Sequence, residues 1–358
     1  MVSYIAKRIK KIQASLADHQ AILLSKNSDI FYFSSFVNSV PEERAAFLLI
    51  SQQASCLFLQ NFLPVPQAFS GQTYFGVSAE KISQHLKNLA QELQLKELFL
   101  DLEHLNVEEF RSITKIGNFK ISSLNKEKIW RLRWQKDDLE LKKIKTAQRI
   151  TKLAILKTIQ ELKVGQSELE VKKTLENNIR QHSDCDLAFQ SIIAFDENST
   201  LPHHQAGQKK LKSGSVVLLD AGAKYQEYCA DMTRTIFFKT KTDRRERTKQ
   251  KEQQFKKILK LVKQAYQKTE KLLQNNNLKA ADLDQACRQT ITQAGYEKKF
   301  IHTTGHGLGI DIHEPPSIYK TNQNKLLKNM VLTIEPGIYL EGKFGVRWEN
   351  TVFYSGEP

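Results

Sequence analysis

Cysteine is scarce in this 358-residue sequence, and the few cysteines are scattered along it. Cys56, Cys185, Cys229 and Cys287 form no Cys-x-x-Cys pair, so their spacing argues against a disulfide framework and against a structural zinc cluster. Reduced thiols of this kind are typical of cytoplasmic proteins.

Long apolar runs are also missing. No stretch approaches the ~20 apolar residues that a membrane-spanning helix needs, and the amphipathic start MVSYIAKRIKKIQASLADHQ lacks the apolar centre of a signal peptide. Gly/Ser linkers, low-complexity tracts and internal repeats are absent from the sequence as well. We therefore expect a folded cytoplasmic protein that does not bind membranes.

Acidic residues are outnumbered, because 54 Lys and Arg face 39 Asp and Glu, which gives a net charge of +15. Such a charge raises the question of nucleic acid binding. The densest basic run, residues 239–257, is followed by helically spaced apolar residues up to Ala265, so we interpret it as the solvated start of a helix. No zinc-finger or RNA-binding aromatic motif accompanies it, and we expect no specific nucleic acid partner.

Four acidic residues lie in apolar, strand-like segments of the C-terminal half. The run at residues 216–219 ends at Asp220, and a second run, residues 228–238, carries Asp231 near its start. These two runs predict a hairpin, although their spacing leaves open whether both acids share one face. Two further runs, residues 331–337 and 345–353, carry Glu335 and Glu349.

A carboxylate inside an apolar strand must lose its hydration, which costs several kcal/mol unless a cation or a hydrogen-bond network replaces the water. For one acid alone, an edge-strand position that faces water is an equally good interpretation. Four such acids, together with the glycine-flanked His306, favour a shared metal site. The sequence therefore predicts a centre in which two cations share bridging carboxylates.

The segments LDAG, DMTRT, GHGLGIDIHEPP, TIEPGIY and VRWEN together resemble the metallopeptidases of the pita-bread fold. They are most similar to the branch of aminopeptidase P and prolidase, enzymes that cleave Xaa-Pro bonds. The resemblance is strong over the C-terminal half and weak over the N-terminal half. It implies a metal-dependent hydrolase whose substrate is a peptide with proline in the second position.

Position by position, the resemblance implies that five residues bind two divalent ions. Asp231 and Glu349 would bridge both ions, Asp220 would complete one coordination sphere, and His306 with Glu335 would complete the other. One nitrogen and many carboxylate oxygens suit Mn²⁺, although Co²⁺ and Zn²⁺ also bind such donor sets.

The resemblance also implies roles in catalysis. The nucleophile would be a water activated by the ions, and Glu335 would carry its proton to the leaving nitrogen. His203, in the segment LPHH, and His313 would donate hydrogen bonds to the substrate and to the oxyanion. Arg347 separates this branch from methionine aminopeptidases, and its guanidinium can orient a bridging carboxylate bidentately.

Two histidines have no implied role, and two segments depart from the family pattern. For His204 and His302 we keep the ordinary interpretation of a structural imidazole, although His302 lies near the motif and can line the pocket. Asn350 stands where the family usually has an acid, and residues 194–198 replace a segment in which a small Ser/Gly pair is commoner. Neither departure touches a metal-ligand position.

The sequence predicts two domains with a boundary near residue 125. Residues 1–125 resemble the small α/β domain that precedes the catalytic domain of prolidases, and residues 126–358 resemble the α+β pita-bread catalytic domain. In the second domain, Gly165 stops one helix and Ser167 caps the next, which runs to about His182. We expect the chain to form a homodimer.

Apolar patterns predict the secondary structure of the first domain. Helical spacing covers residues 5–16 and 79–93, and short apolar strands are predicted at 21–24, 45–50, 54–59 and 98–100.

Three alternatives stay open. A methionine aminopeptidase is disfavoured by Arg347 and by the N-terminal domain. Creatinase-like hydrolases share both domains but lack the metal ligands that are complete here. A non-enzymatic protein on the same fold, with its basic surface on the ribosome or a nucleic acid, typically loses such ligands. The sequence does not distinguish a dipeptidase from an aminopeptidase that acts on longer peptides.

Overall fold

Residues 2–40, 42–117 and 119–356 are described by the structure, a computed structural model. Close contacts group the chain into two units, Met1–Arg133 and Trp134–Pro358. This division by contacts does not test which residues fold independently, so the domain boundary near residue 125 stays a prediction. Each unit has its own sheet and its own apolar core.

The first unit alternates helices and strands along the chain. Its strands are β1 (Gln20–Leu24), β2 (Ala46–Ser51), β3 (Ser55–Leu59), β4 (Gln72–Phe75), β5 (Glu97–Leu100) and β6 (Lys120–Ser123). Its helices are α1 (Val2–Gln13), α2 (Asn27–Ser34), α3 (Ala79–Glu92), α4 (Val107–Thr114) and α5 (Glu127–Trp134).

These six strands form one mixed sheet in the order β4-β3-β2-β1-β5-β6. β2 is buried along its whole length, which explains why its sequence is a continuous apolar run rather than an alternating one. The helices and strands predicted from apolar patterns are confirmed. β4 and β6 are additional, because edge strands that are half exposed carry no apolar pattern to recognise.

The second unit combines four long helices with several small sheets. The helices are α6 (Asp138–Glu161), α7 (Glu168–Arg180), α8 (Glu246–Leu272) and α9 (Ala280–Gln293). The strands are β7 (Cys185–Leu187), β8 (Ile192–Phe195), β9 (Ser215–Ala221), β10 (Ala223–Tyr225), β11 (Tyr228–Cys229), β12 (Met232–Phe238), β13 (Gly305–Gly307), β14 (Glu314–Ile318), β15 (Val331–Ile334), β16 (Gly337–Leu340), β17 (Phe344–Arg347) and β18 (Asn350–Phe353).

Strands of the second unit pair antiparallel. The orders are β12-β9-β8 and β14-β13-β15-β18 for the two sheets that carry the predicted site residues, and β11-β10-β7 for a smaller one. β16 and β17 form a separate hairpin. Antiparallel sheets with helices outside the strand ladder agree with the α+β class predicted for this part of the chain.

Strand β9 separates two apolar layers. Val217 and Leu219 pack with α6 and α7, whereas Val216 packs with α8 and α9. Because side chains alternate along a strand, Asp220 falls on the face of Val216. Burying each such aliphatic side chain stabilises the fold by about 1.5–3 kcal/mol, so the strand that carries Asp220 is held from both sides.

Helix α7 begins with the predicted cap. The side chain of Ser167 accepts a hydrogen bond from the Glu170 N–H, and the Glu170 carboxylate accepts one from the Ser167 N–H. This reciprocal pair satisfies two backbone donors that a helix start otherwise leaves free. The prediction is confirmed at this end, and the helix ends at Arg180, close to the predicted end.

The basic run at residues 239–257 contains the start of α8 at Glu246. The interpretation as a solvated helix start is confirmed there, since the Lys249 side chain is 53% exposed and pairs with Glu246 at 3.3 Å. Such exposed pairs contribute little to stability. No helix in the described part of the chain is both long and apolar enough to cross a membrane.

The cap predicts a pH-dependent stability difference. Hydrogen bonds from Ser167 lower the pKa of Glu170 from 4.5 to about 2. A carboxylate with a lowered pKa stabilises the folded state above its unfolded pKa, and this contribution is lost as the pH falls toward the folded value. Glu170→Gln should therefore lower the Tm at pH 7, and the difference from wild type should shrink between about pH 4.5 and pH 2.

Thermal unfolding followed by circular dichroism measures this difference. Glu341→Gln is the matched control, because Glu341 is exposed and makes no hydrogen bond among the described residues. A Tm difference for Glu170→Gln that stayed constant over the whole pH range would contradict the prediction.

Candidate active site

The hairpin predicted for the first two acids is present: β9 and β12 pair antiparallel, with Thr233 opposite Asp220. The second run is not one strand, however, because the chain leaves the ladder between β11 and β12, and Asp231 lies in this break. The Asp231 N–H donates to Thr351 Oγ1 (2.9 Å), and the Asp231 carbonyl accepts from the Thr351 N–H (3.1 Å). Strand β18 therefore sets the position of Asp231.

Glu335 and Glu349 also lie between strands. Glu335 follows β15, and its N–H donates to Thr304 O (2.9 Å), whereas Glu349 lies between β17 and β18, and its N–H donates to Thr233 O (3.2 Å). The prediction of four acids within four strands is thus wrong for three of them, and Asp220 alone is a strand residue. The physical reason is that a break releases a side chain from strict alternation, so acids from different sheets can meet.

His306 is the middle residue of β13, and close backbone packing requires glycine on both sides of it. A Cβ on Gly305 would lie 2.0 Å from Thr333 O, and a Cβ on Gly307 would lie 2.5 Å from Pro315 O. Both distances are far below van der Waals contact, so the two glycines let β13 approach its neighbours.

The His306 imidazole is oriented by its own backbone. Nδ1 donates to Gly307 O (2.9 Å), and in this tautomer Nε2 is free to bind a metal. Nε2 lies 3.7 Å from Asp231 Oδ2 and 3.9 Å from Glu335 Oε1. One donor atom each of Asp231, His306 and Glu349 lie within 4.8 Å of one another.

Asp220, Asp231, Glu335 and Glu349 are called the acid cluster below. Oδ1 of Asp220 and Oδ1 of Asp231 are buried and have no hydrogen-bond partner among the described residues. Buried carboxylate oxygens without partners are costly, and four carboxylates with one imidazole form a hard, oxygen-rich donor set. The residues therefore fit divalent cations, which would satisfy both the free lone pairs and the negative charge.

The guanidinium of Arg347 offsets part of the negative charge of the acid cluster. Arg347 is 3% exposed, and its Nη2 donates to Asp220 Oδ2 at 2.6 Å. Nε donates to Thr233 Oγ1 (3.0 Å), and Thr233 Oγ1 donates to Glu349 Oε2 (2.6 Å). The expected bidentate contact with a bridging carboxylate is not seen, because Nε and Nη1 are taken by Thr233 and by the Tyr339 hydroxyl.

Tyr339 extends this network to His302. The Tyr339 hydroxyl accepts from Arg347 Nη1 (3.0 Å) and donates to His302 Nε2 (2.8 Å), while His302 Nδ1 donates to Thr303 O (2.7 Å). Burial, and then the charge of Arg347, lowers the pKa of His302 to about 3, which keeps the imidazole neutral as this network requires. His302 is therefore a satisfied imidazole, and it also lies 4.0 Å from Glu335 Oε2.

Burial and mutual repulsion set the protonation of the acid cluster. Burial, followed by repulsion from Glu349, raises the pKa of Asp231 well above its ordinary value, and burial with repulsion from Glu335 does the same for Glu349. Burial raises the pKa of Glu335 to about 8 and lowers the pKa of His306 to about 4. A divalent cation opposes the carboxylate shifts, and the neutral imidazole is the form that binds metals.

His203 and His313 line the same cavity as the acid cluster, and the volume of this cavity is about 770 Å³. Both side chains are exposed. The ring of His313 lies 4.5 Å from the ring of His306. Burial, and then the proximity of His203, lowers the pKa of His313. All eight residues predicted for the site thus line one cavity: Asp220, Asp231, His306, Glu335, Glu349, His203, His313 and Arg347.

Glu168 anchors the segment that carries His203. Its side chain is fully buried at the start of α7, and its Oε2 accepts from His204 Nε2 (2.9 Å). This contact agrees with the structural interpretation of His204. The same carboxylate also accepts hydrogen bonds from the N–H of Phe195 (2.7 Å), from Asn198 Nδ2 (2.9 Å) and from the N–H of Gly207 (3.1 Å).

Several residues that shape the site are absent from the sequence prediction. Thr233 and Tyr339 connect Arg347 to the rest of the site, and both lie in segments that carry the family resemblance, which was the signal that could have found them. Lys136 is 3% exposed and pairs with Glu314 Oε2 at 3.2 Å. Glu314 Oε1 also accepts from the N–H of Ile310 and of Asp311, which holds the loop before His313.

Comparison with known proteins identifies two families that match this chain. Residues 142–355 match metallopeptidase family M24, and residues 8–134 match the creatinase/prolidase N-terminal domain. An uncharacterized peptidase of Staphylococcus haemolyticus is 30% identical over 357 residues, which cover 98% of this chain and 96% of that protein.

Solved structures show the same architecture. An X-Pro aminopeptidase from Thermotoga maritima is 30% identical with a TM-score of 0.84, and the match covers 97% of this chain and 95% of that one. An Xaa-Pro dipeptidase from Bacillus anthracis is 26% identical with a TM-score of 0.85, and the match covers 99% and 98% of the two chains.

The chain belongs to metallopeptidase family M24. It is a metal-dependent peptidase whose pita-bread catalytic domain is preceded in the chain by a creatinase/prolidase N-terminal domain. The fold class expected from the resemblance is confirmed, and the alternative of a non-enzymatic binding protein is set aside. The family implies divalent metal ions and peptide substrates.

Cation binding should stabilise the chelator-treated protein. A ligand that binds the folded state alone adds about 2.7 kcal/mol to stability at a hundredfold excess over its Kd, and the Tm rises accordingly. Mn²⁺ should therefore raise the Tm of the wild type, and Glu349→Gln should remove most of this shift. Differential scanning fluorimetry over a Mn²⁺ titration measures it. Glu341→Gln serves as the control, and equal shifts in the two variants would exclude Glu349 as a ligand.

Proposed function

We propose that the acid cluster and His306 hold two divalent ions. Asp231 and Glu349 would be ligands of both ions, Asp220 would bind one ion, and His306 with Glu335 would bind the other. The proposal is supported by the donor atoms of Asp231, His306 and Glu349 that lie within 4.8 Å of one another. It is also supported by the unpartnered Oδ1 atoms of Asp220 and Asp231, which need electrophilic partners.

Mn²⁺ is the proposed metal, because oxygen-rich donor sets with a single imidazole suit hard cations better than thiolate sites do. Co²⁺ and Zn²⁺ bind similar sets and are the alternatives for a metal titration. Cytoplasmic location and assembly as a homodimer stay predictions from the sequence.

The proposed reaction is hydrolysis of the bond between an N-terminal residue and a following proline. The single observation that carries this proposal is the buried Arg347 against Asp220, since an arginine at this position distinguishes the Xaa-Pro branch in the resemblance. The X-Pro aminopeptidase of Thermotoga maritima and the Xaa-Pro dipeptidase of Bacillus anthracis support it by their similarity. A cavity of about 770 Å³ is of the size that binds small ligands, which suits a short peptide.

Amide hydrolysis needs an activated water and a proton for the leaving nitrogen. Bound divalent cations polarise a carbonyl and lower the pKa of water. Glu335 is the proposed proton carrier, because its carboxylate lies 3.9 Å from His306 Nε2 and only 16% of its side chain is exposed. It would accept the proton of the attacking water and deliver it to the proline nitrogen.

His203 and His313 are the proposed hydrogen-bond donors to substrate. Proline leaves no N–H on the scissile bond, so the two imidazoles would act through the carbonyl oxygens of the substrate. Both imidazoles are exposed on the cavity side of loops, and Glu168 holds the loop of His203 through His204. Donors placed where the oxyanion forms stabilise the transition state more than the ground state.

Glu335→Gln should leave the fold intact but lower kcat by about 10²–10⁴-fold, the contribution of a positioned acid–base group. Steady-state kinetics on Ala-Pro-Ala with Mn²⁺ measures the loss, and a Mn²⁺ titration of the Tm shows whether metal still binds. A variant that binds metal and retains activity within a few-fold of wild type would refute the assignment.

Substrate preference tests the Xaa-Pro proposal directly. Ala-Pro-Ala should be cleaved with a higher kcat/KM than Ala-Ala-Ala or Met-Ala-Ala, because the pocket is proposed to accept the proline ring. A preference for Met-Ala-Ala would move the protein to the methionine aminopeptidases. Parallel assays of Gly-Pro and of Gly-Pro-X peptides separate a dipeptidase from an aminopeptidase.

The role of His313 is tested separately. His313→Ala should lower kcat by about 10²–10³-fold, the cost of one oxyanion donor, with metal binding retained.

A further inference from the structure

Lys172 brings a positive charge to the wall of the active-site cavity. It belongs to α7, and its side chain is 19% exposed. Among the described residues that line the cavity, Lys172 and Arg347 are the two with a lysine or arginine side chain. Arg347 donates to Asp220, Thr233 and Tyr339. Lys172 is therefore the cation of the cavity that remains available to a ligand.

The contacts of Lys172 within the protein are long. Its Nζ lies 3.8 Å from Glu176 Oε1 and 3.4 Å from Gln190 Oε1. The Glu176 carboxylate is shared, since Oε2 lies 4.0 Å from Arg180 Nη1 and Oε1 accepts from the Ser191 N–H at 3.3 Å. Two cations thus share one carboxylate, and an ammonium group with three donors keeps capacity for another acceptor.

Ser191 adds a second polar group to the same wall. The residue is 3% exposed, and its Oγ has no hydrogen-bond partner among the described residues. It lines the cavity directly before β8, in which Ile192 lies opposite Asp220. A strand rises ~3.3 Å per residue, so Gln190, which holds Lys172, is only two residues from the ladder partner of Asp220. A substrate bound at the acid cluster lies within reach of this wall.

We infer that Lys172, assisted by the Ser191 hydroxyl, binds a carboxylate of the substrate. This inference rests on the proposed peptidase function. Bound cations would offset the negative charge of the acid cluster, so Lys172 is the side chain of the cavity wall that attracts a substrate carboxylate away from the metal ligands. The carboxylate has two sources within a few bonds of the scissile peptide: the C-terminus of an Xaa-Pro dipeptide, or the side chain of an N-terminal Asp or Glu.

Two matched substrate pairs distinguish these sources. Ala-Pro and Ala-Pro-amide differ in the C-terminal charge, and Glu-Pro-amide and Gln-Pro-amide differ in the side-chain charge. For one pair, the kcat/KM preference of wild type for the carboxylate member should fall about tenfold in Lys172→Met, the lower end for a hydrogen bond to a charged group. The pair that responds identifies the source. Lys172→Arg keeps the charge and should keep most of the preference.

Lys173→Met is the matched control, because Lys173 is the next residue of the same helix and is exposed. An unchanged preference in Lys172→Met on both pairs, while all four substrates are still cleaved, would overturn the inference and leave the proposed function standing. An equal loss in Lys173→Met would also overturn it, since the effect would then be one of net charge. A wild type that cleaves Ala-Pro-Ala but none of the four with Mn²⁺ would overturn the inference alone, since neither source of a carboxylate would then be accepted. A wild type that cleaves neither Ala-Pro-Ala nor any of the four would refute the proposed function, and the inference with it.

Discussion

The ion pair between Arg347 and Asp220 offsets part of the negative charge that four neighbouring carboxylates bring into the catalytic domain. Four carboxylates are brought into a space with little water, and each raises the cost of ionising the next. At 2.6 Å the guanidinium offsets one of these charges and, through Thr233, orients a second at Glu349. Burial and mutual repulsion nevertheless keep the pKa values of Asp231 and Glu349 raised, and burial raises that of Glu335, shifts that a bound cation opposes. Divalent metal ions therefore serve two purposes here: they neutralise the buried carboxylates, and they supply the chemistry of the site.

Three of the four acids can meet at one place because they lie in breaks between strands. Regular alternation would send neighbouring side chains to opposite faces, but Asp231, Glu335 and Glu349 occupy breaks whose backbone groups bond to a different strand or loop. Threonines at these junctions bond side chain to backbone, as Thr351 does with Asp231. Hydrogen bonds thus hold the base of the site, while His203 and His313 occupy exposed loops that line the cavity.

The proposed carboxylate-binding residue, Lys172, lies outside the strands and loops that carry the acid cluster. It lies on α7, a helix whose start is held by the Ser167 cap and whose Glu168 anchors the His203 loop. One helix thus supports a proposed oxyanion donor and carries a proposed carboxylate-binding residue. A change of side chain on its cavity face can alter substrate choice without disturbing the acid cluster, because the two lie on separate elements.

Local patterns in the sequence were sufficient to single out the acids that line the cavity and the cap at Ser167, because each pattern depends on residues close together in the chain. The class of fold followed from the resemblance of several short segments to one family. They were insufficient for the strand breaks, the partner of Arg347 and the place of Lys172. Those features depend on residues far apart: Asp231 bonds to a residue 120 positions away, and Arg347 to one 127 positions away. Pairing over such distances follows from the packing of whole sheets and helices, which no local pattern records.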